Sequence, residues 1–538
     1  MSKNLAPNTV DELCSVRPDL VGPFTAALPG ARAAVLGRLW GAFARERLPG
    51  IARRRRCGEE LVVTLANGGR LVGPASAAAR FAQVPADFGV MGPGGPVEQP
   101  ARLLEALELG TPGSLRLAEE LDNSVVNLAL ARTAADGTCT AVADSVAAEQ
   151  VVTDGHPQHP CCRTRSGLSV AEVLAYAPEH HPVVDLAVLA VPAALWRSSG
   201  TWPQELREGG TVLVPVHPWQ RDHVVGGHPG LVVTRRTIPA RPLLSFRTLA
   251  PREALHGYHI KTALDVQMTS RRRTISPVEV ADGPALSALL AEVVDRAGYG
   301  DRLRVLHEVG GGAVYVDGRP SPSLAVMLRQ SSDHDLAGGE VAAPLTAVYA
   351  TGAAWVAGDA AGWLAEFAEL VLPPALTLLS LGIALEAHGQ NTLVVLRDGR
   401  PVRVLYRDLD GLRLNPHRLA EHRITLPPLA GDRVGKDVHA LRVKLFGSLL
   451  SGLFSELVTA LARARRREPE ALWAVVAAVA RDVFATLPAN GDAEAFFGAT
   501  WPLKATTAMR LAPDPRPAQW AAIPNPLPGR ATGGGEDA

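Results

Sequence analysis

An α+β fold laid out in three stretches is what this 538-residue sequence predicts, and three observations carry the prediction. Apolar residues recur at helical spacing across 30–130, short β-branched runs dominate 180–330, and helical spacing returns after 340. Helices and strands that segregate along the chain argue for α+β over alternating βαβ units. The expected organisation is a helical N-terminal region at 1–135 and a sheet-rich central region at 136–340. A helical C-terminal region at 341–511 and a tail rich in proline and glycine at 512–538 complete it.

The N-terminal helices are expected over 31–47, 100–107 and 119–130, where apolar positions share one face. Between them, residues 60–66 alternate and then meet Asn67-Gly68-Gly69, a hairpin signal. Central strands are expected at 183–189, 211–216, 264–269 and 313–316, each short and bounded by turn residues. Later helices are predicted over 353–372, 374–387, 439–463 and 469–487. One hairpin interrupts them, running through 392–396, turning at Arg397-Asp398-Gly399-Arg400 and returning through 402–406.

Bulk properties exclude several classes. A hydrophobic fraction of 47% with 20% charged residues belongs to a globular chain, long enough for two or three packed units. Lys+Arg and Asp+Glu balance at 54 each, so no basic excess points to nucleic acid. The cysteines, Cys14, Cys57, Cys139, Cys161 and Cys162, follow no disulfide or zinc spacing, which fits a reducing cytoplasm. The N-terminus lacks the apolar core of a signal peptide. The most apolar stretch, 370–385, is shorter than the roughly 20 residues of a bilayer span and carries Pro373-Pro374, so a buried helix is expected there. Neither a Gly-x-x-x-x-Gly-Lys-Ser/Thr loop nor a Gly-x-Ser-x-Gly elbow occurs.

Four polar clusters carry the chemistry. In Asp154-Gly155-His156-Pro157-Gln158-His159-Pro160 two His-Pro steps hold the chain extended, with Arg163, Arg165 and Gly167 just beyond. An oxyanion-binding loop, a zinc site using His156, His159 and Cys161 or Cys162, and a proline-rich surface loop are all compatible with that pattern. Ser245-Phe246-Arg247-Thr248 and Lys261 place cations and hydroxyls at strand ends, a set suited to phosphates and carboxylates. Arg271-Arg272-Arg273 follows, and at least one of these three must point away from any site because alternate strand residues face opposite sides. Glu386-Ala387-His388-Gly389-Gln390-Asn391 is expected to end an apolar helix, and the hairpin returns the chain to Arg407-Asp408-Leu409-Asp410. Hard oxygen ligands at both ends of one hairpin suit magnesium completed by substrate phosphates, although a capped helix and a polar hairpin end would look the same. His217-Pro218-Trp219-Gln220 is read as structural support.

In order and together, these residues resemble the NRPS-independent siderophore synthetases of the aerobactin-synthetase (IucA/IucC) family. The resemblance runs through His156-Pro157-x-His159-Pro160 with Arg165 and Gly167, His217-Pro218-Trp219-Gln220, and Ser245-x-Arg247-Thr248. It continues through Lys261, Thr269-Ser270-x-x-Arg273-Thr274-x-Ser276-Pro277, and Glu386-Ala387-His388-x-Gln390-Asn391 with Arg407-Asp408. Weaker echoes lie at Asn123-Ser124-Val125-Val126-Asn127, Lys504-Ala505, Met509-Arg510-Leu511 and Asn525-Pro526-Leu527.

The resemblance implies a fold like a cupped hand, with a mainly antiparallel central sheet between helical parts around one cleft. It implies an ATP- and magnesium-dependent ligase that adenylates citrate or a related di- or tricarboxylic acid derivative and condenses it with an amine or hydroxyl. On this resemblance His156, His159, Arg165, Ser245, Arg247, Thr248, Lys261, Arg273, Gln390 and Asn391 contact ATP. Thr269, Arg273 and His388 contact the acid, Lys261, Arg273 and His388 are the catalytic set, and Glu386, Asn391 and Asp408 hold magnesium. Arg163 stands where the family often has lysine, which changes the geometry of that charge. The partners implied are small polycarboxylic acids and amines, with no nucleic acid or membrane, and a homodimer is common in the family. Two other readings of the same cleft are an ATP-dependent phosphotransferase and a non-catalytic polycarboxylate- or iron-chelate-binding protein.

Overall fold

The computed structural model of the chain describes residues 5–134, 142, 144–228, 230–269 and 271–527. Ser270, Cys139 and the Gly533-Gly534-Gly535 tail motif lie outside the described residues. The N-terminal region begins with helices Ala6–Val16 and Val21–Arg45 and ends with Pro100–Glu105 and Pro112–Arg132. Between them lies more than the expected hairpin: a five-stranded antiparallel meander runs from Ile51–Cys57 to Gly95–Val97. Its first strand carries Arg53-Arg54-Arg55-Arg56, which sequence spacing does not mark as a strand because these four residues show no apolar alternation. As an edge strand its charges face water, which protects an open edge from pairing with another chain.

Nine antiparallel strands form the central sheet. Their spatial order is Trp196–Gly200, Glu308–Val316, Arg319–Gln330, Tyr258–Thr262, Thr248–Pro251, Val232–Pro242, Val184–Pro192, Thr211–Val216 and Arg207–Glu208. Leu186, Val188, Ile238, Leu249, Ile260 and Val326 are fully or nearly fully buried and form one core on this sheet. A small sheet of Arg165–Ser166, Leu264–Met268 and Arg271–Arg273 connects the first and third polar clusters.

The C-terminal region departs from expectation at its main helix. One helix, Ala360–Leu381, runs through Pro373-Pro374, and Gly382 ends it in the left-handed conformation at φ 101°. Glu386 therefore lies past the helix, after the short strand Ile383–Ala384, in a loop that feeds the hairpin strand Thr392–Arg397. Proline in a helix frees the carbonyl four residues earlier. Arg302 donates to that carbonyl of Glu369, and the Ser199 hydroxyl donates to the carbonyl of Val280, freed by Pro284 inside helix Pro277–Arg296. Burial of Leu364, Phe367, Val371, Leu372 and Leu376 holds the first of these helices together in spite of its prolines.

By length and composition, the helical runs Pro18–Arg45, Ala360–Leu381 and Val438–Arg465 are long and apolar enough to cross a membrane. The last two pack mostly inside the C-terminal core, with Trp363, Phe367, Phe446, Leu453 and Phe454 against one another. Run Val438–Arg465 contains a π-helical turn at Leu449–Phe454. If Ser199 relieves the Pro284 helix, Ser199→Ala leaves a part-buried carbonyl without that donor. We expect it to cost about 1–3 kcal/mol in urea unfolding.

Candidate active site

Each polar cluster is held by neighbours that sequence spacing does not reveal. The His-Pro loop rests on helix Pro112–Arg132. Ser124 donates to the carbonyl of Pro160, the Asn123 amide oxygen accepts from the Arg165 N–H at 2.7 Å, and Arg132 grips Asp154 through Nε and Nη2. The imidazoles are fixed by their own loop. Nδ1 of His156 accepts from the N–H groups of Gln158 and His159, and Nδ1 of His159 accepts from the Cys161 N–H. Cys161 faces Glu120, so the zinc arrangement open to the sequence is not assembled by these side chains.

Arg163 and Arg165 do not enter the cleft. Both turn into the interior toward Glu179, at 3.6 and 2.6 Å, and Arg163 also donates to the carbonyls of Val152 and Thr153. Burial opposes the charge on Glu179, but the two guanidinium groups outweigh it and hold its carboxyl down to about 2. His217 is fully buried, with Tyr176 and Phe246 against its ring. Gln220 links the carbonyl of Ser323 to the N–H of Asp265, which bears out the structural reading of His217-Pro218-Trp219-Gln220.

Lys261 is the point where the regions meet. Strand Tyr258–Thr262 delivers its ammonium to Glu279, in the first turn of helix Pro277–Arg296, and to Asp408 beyond the hairpin at 3.2 Å. Burial opposes the ammonium, yet Asp408 and Glu279 raise its pKa. Burial would raise Asp408, but Lys261, Arg329 and Arg247 drive it far below the usual carboxylate range. Arg329 lies 3.8 Å from Asp408 and 3.3 Å from buried Glu308. Arg247 reaches past Asp408 to the carbonyls of Arg273 and Thr274, each at 3.0 Å.

Ser245 accepts from the N–H of Thr248, closing the turn that presents Arg247. Arg271 and Arg272 are exposed, whereas Arg273 is half-buried within reach of Arg247 and Asp408. Burial, with Arg247 adding, lowers Arg273 to about 10, so it stays charged.

The second half of the cleft is built on the run 386–391. Glu386, His388 and Gln390 are partly open, while Ala387, Gly389 and Asn391 are buried, so alternate side chains face outward. Lys444 contacts Glu386 at 2.6 Å and Lys504 approaches the same oxygen at 3.8 Å. One carboxylate thus serves two ammonium groups. Burial would raise Glu386, but Lys444, Lys504 and His388 pull it down to about 2; burial still lowers Lys444, with Lys504 and Arg413 adding to it. Gly411 permits this crowding, because a Cβ there would stand 1.9 Å from Glu386 Oε2. The Asn391 amide donates to the carbonyl of Glu386, and Arg407 donates to the carbonyl of Gln390 while clasping Glu149.

Burial lowers His388, with Lys504 and Lys444 adding and Glu386 and Asp408 opposing, and burial lowers His156 to about 3, with His388, Lys504 and Arg38 adding. Burial likewise lowers His159, with His156, Arg510, Lys504 and Arg273 adding. The first, third and fourth clusters therefore converge. Phe246, Thr269 and Asp408 adopt positive φ values of 70°, 54° and 69°. For β-branched Thr269 that conformation is an outlier, and such outliers concentrate at functional sites. Among the described residues no group of three or more His, Cys, Asp or Glu side chains is placed to hold a metal. What is present is two ionised carboxylates and an amide, a donor set that suits a hard ion completed by phosphate oxygens.

Sequence reasoning missed Glu149, Glu179, Glu279, Glu308, Arg329 and Lys444. Only Glu279 had a local signal, the Ser276-x-x-Glu279 pattern of a helix start. Because the folded pKa of Glu179 is depressed, its stabilisation is present above about 4.5 and is lost as pH falls toward 2. Glu179→Gln is expected to lose about 3–5 kcal/mol at pH 7, with the deficit to wild type shrinking below pH 4.5 in acid-unfolding titrations.

Comparison with known proteins agrees with this geometry. Residues 144–350 match the IucA / IucC family, and residues 361–517 match the family described as Ferric iron reductase FhuF-like transporter. Staphyloferrin A synthase of Staphylococcus aureus is 28% identical over 424 residues, 68% of this chain and 70% of that protein. D-ornithine–citrate ligase of the same organism is 24% identical over 336 residues, 51% of each chain, so about half its length is spanned. In fold, the ATP-bound aerobactin synthetase IucA of Klebsiella pneumoniae superposes with a TM-score of 0.75 at 20% identity, covering 93% of this chain and 99% of that one. The chain thus carries the motifs in order in a fold like that of the aerobactin synthetases, and its residues 144–350 match the IucA / IucC family.

Proposed function

We propose that the chain is an ATP-dependent ligase of siderophore biosynthesis. It adenylates a carboxylate of citrate or a related di- or tricarboxylic acid derivative and condenses it with an amine or hydroxyl, releasing AMP and pyrophosphate. The observation that carries this reading is the Lys261–Asp408 contact, with Arg247, Arg273 and Arg329 around it. It sets sheet-borne cations against oxygen ligands from the C-terminal hairpin. The relatives named as a citrate ligase and a staphyloferrin synthase support the acid and the product class, and the ATP-bound neighbour supports the nucleotide. Segment 361–517 contains no cysteine, so it offers no thiolate for an iron–sulfur centre.

The chemistry follows from charge. A carboxylate oxygen attacks the α-phosphorus, the bond to the β-phosphate oxygen breaks, and negative charge builds on the phosphate oxygens. Fixed cations stabilise that build-up better than mobile water does. Arg247, Lys261 and Arg273, with the Ser245 and Thr248 hydroxyls, grip the phosphates. His156, His159, Gln390 and Asn391 line the nucleotide, while Thr269, Arg273 and His388 orient the acid. The amine or hydroxyl then attacks the acyl carbon and AMP leaves. No covalent enzyme nucleophile is required. Glu386, Asn391 and Asp408 are the residues that would hold magnesium, which when bound supplies charge to offset the triphosphate. Arg165, committed to Glu179, serves this site by bracing the His-Pro loop.

Lys261 is a poor test residue for alanine substitution, because its loss strands Glu279 and Asp408 and costs about 3–5 kcal/mol of stability. Arg273→Ala is cleaner. We expect it to reduce pyrophosphate release by a hundredfold or more, about 2.7 kcal/mol of transition-state stabilisation, with unchanged thermal unfolding. Pyrophosphate release at the wild-type rate overturns this assignment. A screen of carboxylic acids and amines, with AMP and ADP resolved by chromatography, tests the reaction itself. AMP is expected; ADP identifies a phosphotransferase, and no ATP consumption with any pair identifies a binding protein.

A further inference from the structure

Glu386 is gripped from both sides. Its Oε2 packs against Gly411 so closely that no side chain fits there, and its Oε1 carries the Lys444 ammonium at 2.6 Å. Lys444 is nearly covered, with 12% of its side chain exposed, whereas Lys504, 3.8 Å from the same oxygen, is 43% exposed. The other carboxylate of the proposed metal set is arranged alike, since Asp408 accepts from Lys261 and lies near Arg329. Each of the two carboxylates that could take a cation already faces a protein cation. A divalent ion arriving alone would have to displace a buried ammonium and then sit beside it, which like-charge repulsion opposes. A triphosphate changes that balance, because its oxygens offer the displaced ammonium a new partner.

We propose that Lys444 closes Glu386 to free divalent cations, so that metal enters this site only together with the nucleotide. The proposal rests on the reading of Glu386 as a metal ligand. Lys444 acts here as a positioning residue, and Lys504, the more exposed ammonium, is the one placed to follow the phosphates.

Manganese(II) serves as the probe, with binding read by electron paramagnetic resonance and by equilibrium dialysis on the full chain. Wild type is expected to retain Mn2+ with ATP but not without it. Lys444→Met is expected to bind Mn2+ alone at least tenfold more tightly than wild type. Lys444→Arg should behave as wild type, and adding Glu386→Gln to Lys444→Met should abolish the gain. Should Lys444→Met not fold, Lys444→Gln replaces it with the same expectations. Equal, weak Mn2+ binding by wild type and Lys444→Met without nucleotide, with wild type still retaining Mn2+ and ATP together, overturns the proposal and leaves the metal site standing. Tight Mn2+ binding by wild type alone also overturns it. Failure of wild type to retain Mn2+ even with ATP overturns the metal-site reading and the proposal with it.

Discussion

Lys261 carries a charge into a place where charge is costly, and only the carboxylates of Glu279 and Asp408 make that position tolerable. The three residues come from a central strand, the first turn of a helix and the far end of the hairpin, so their contact fixes how those elements approach. Arg329 and Glu308 extend the network along two adjacent strands of the central sheet, and Arg247 enters it from the turn before Thr248–Pro251. A buried ion cluster of this kind tolerates little displacement, because any member left alone pays the desolvation cost without compensation. The cleft is therefore built from its charges outward.

The rest of the molecule serves to hold the far wall in register with that cluster. Glu120 shows how. It binds Arg510, in the helix just after Lys504, and faces Cys161 in the His-Pro loop, so one buried carboxylate spans N-terminal helix, loop and C-terminal segment. Glu46 accepts from the N–H of Ala508 and adds a second tie to the same helix. Glu149 does similar work for Arg407, next to Asp408. Core packing follows these ties: Cys161, Phe246, Leu264, Ala508 and Leu511 share one apolar cluster with the N-terminal helices.

Much of this was legible in the sequence where the signal was local. Strand Thr211–Val216 and the hairpin around Asp398-Gly399 stand where alternation and turn residues put them. Motifs read in order set Lys261 and Asp408 on facing sides of a bound nucleotide; the structure has them in direct contact. Three kinds of feature were not legible. The edge strand Ile51–Cys57 hides behind its arginines, because pairing and not apolar alternation makes it a strand. Helix Ala360–Leu381 survives two prolines through burial and a borrowed donor from Arg302, neither of which is local. The acidic partners Glu179, Glu279 and Glu308 are single residues among 54 carboxylates, and only folding shows which arginine or lysine each one meets. Arg163 and Arg165 illustrate the cost: adjacent to a site motif, they turn inward to an acid that nothing in the motif names.

The backbone contacts of His156 and His159 have one more consequence. A ring nitrogen that accepts an amide hydrogen cannot carry a proton, so in both imidazoles the hydrogen must reside on Nε2. With the enclosing protein and nearby cations holding both rings far below neutral titration, each is an uncharged donor of settled tautomer. The shape of the loop is thus held by neutral rings whose backbone contacts do not change with acidity near neutrality. Imidazole is the side chain that ordinarily titrates near neutrality, and here burial removes that response from the two rings of the loop.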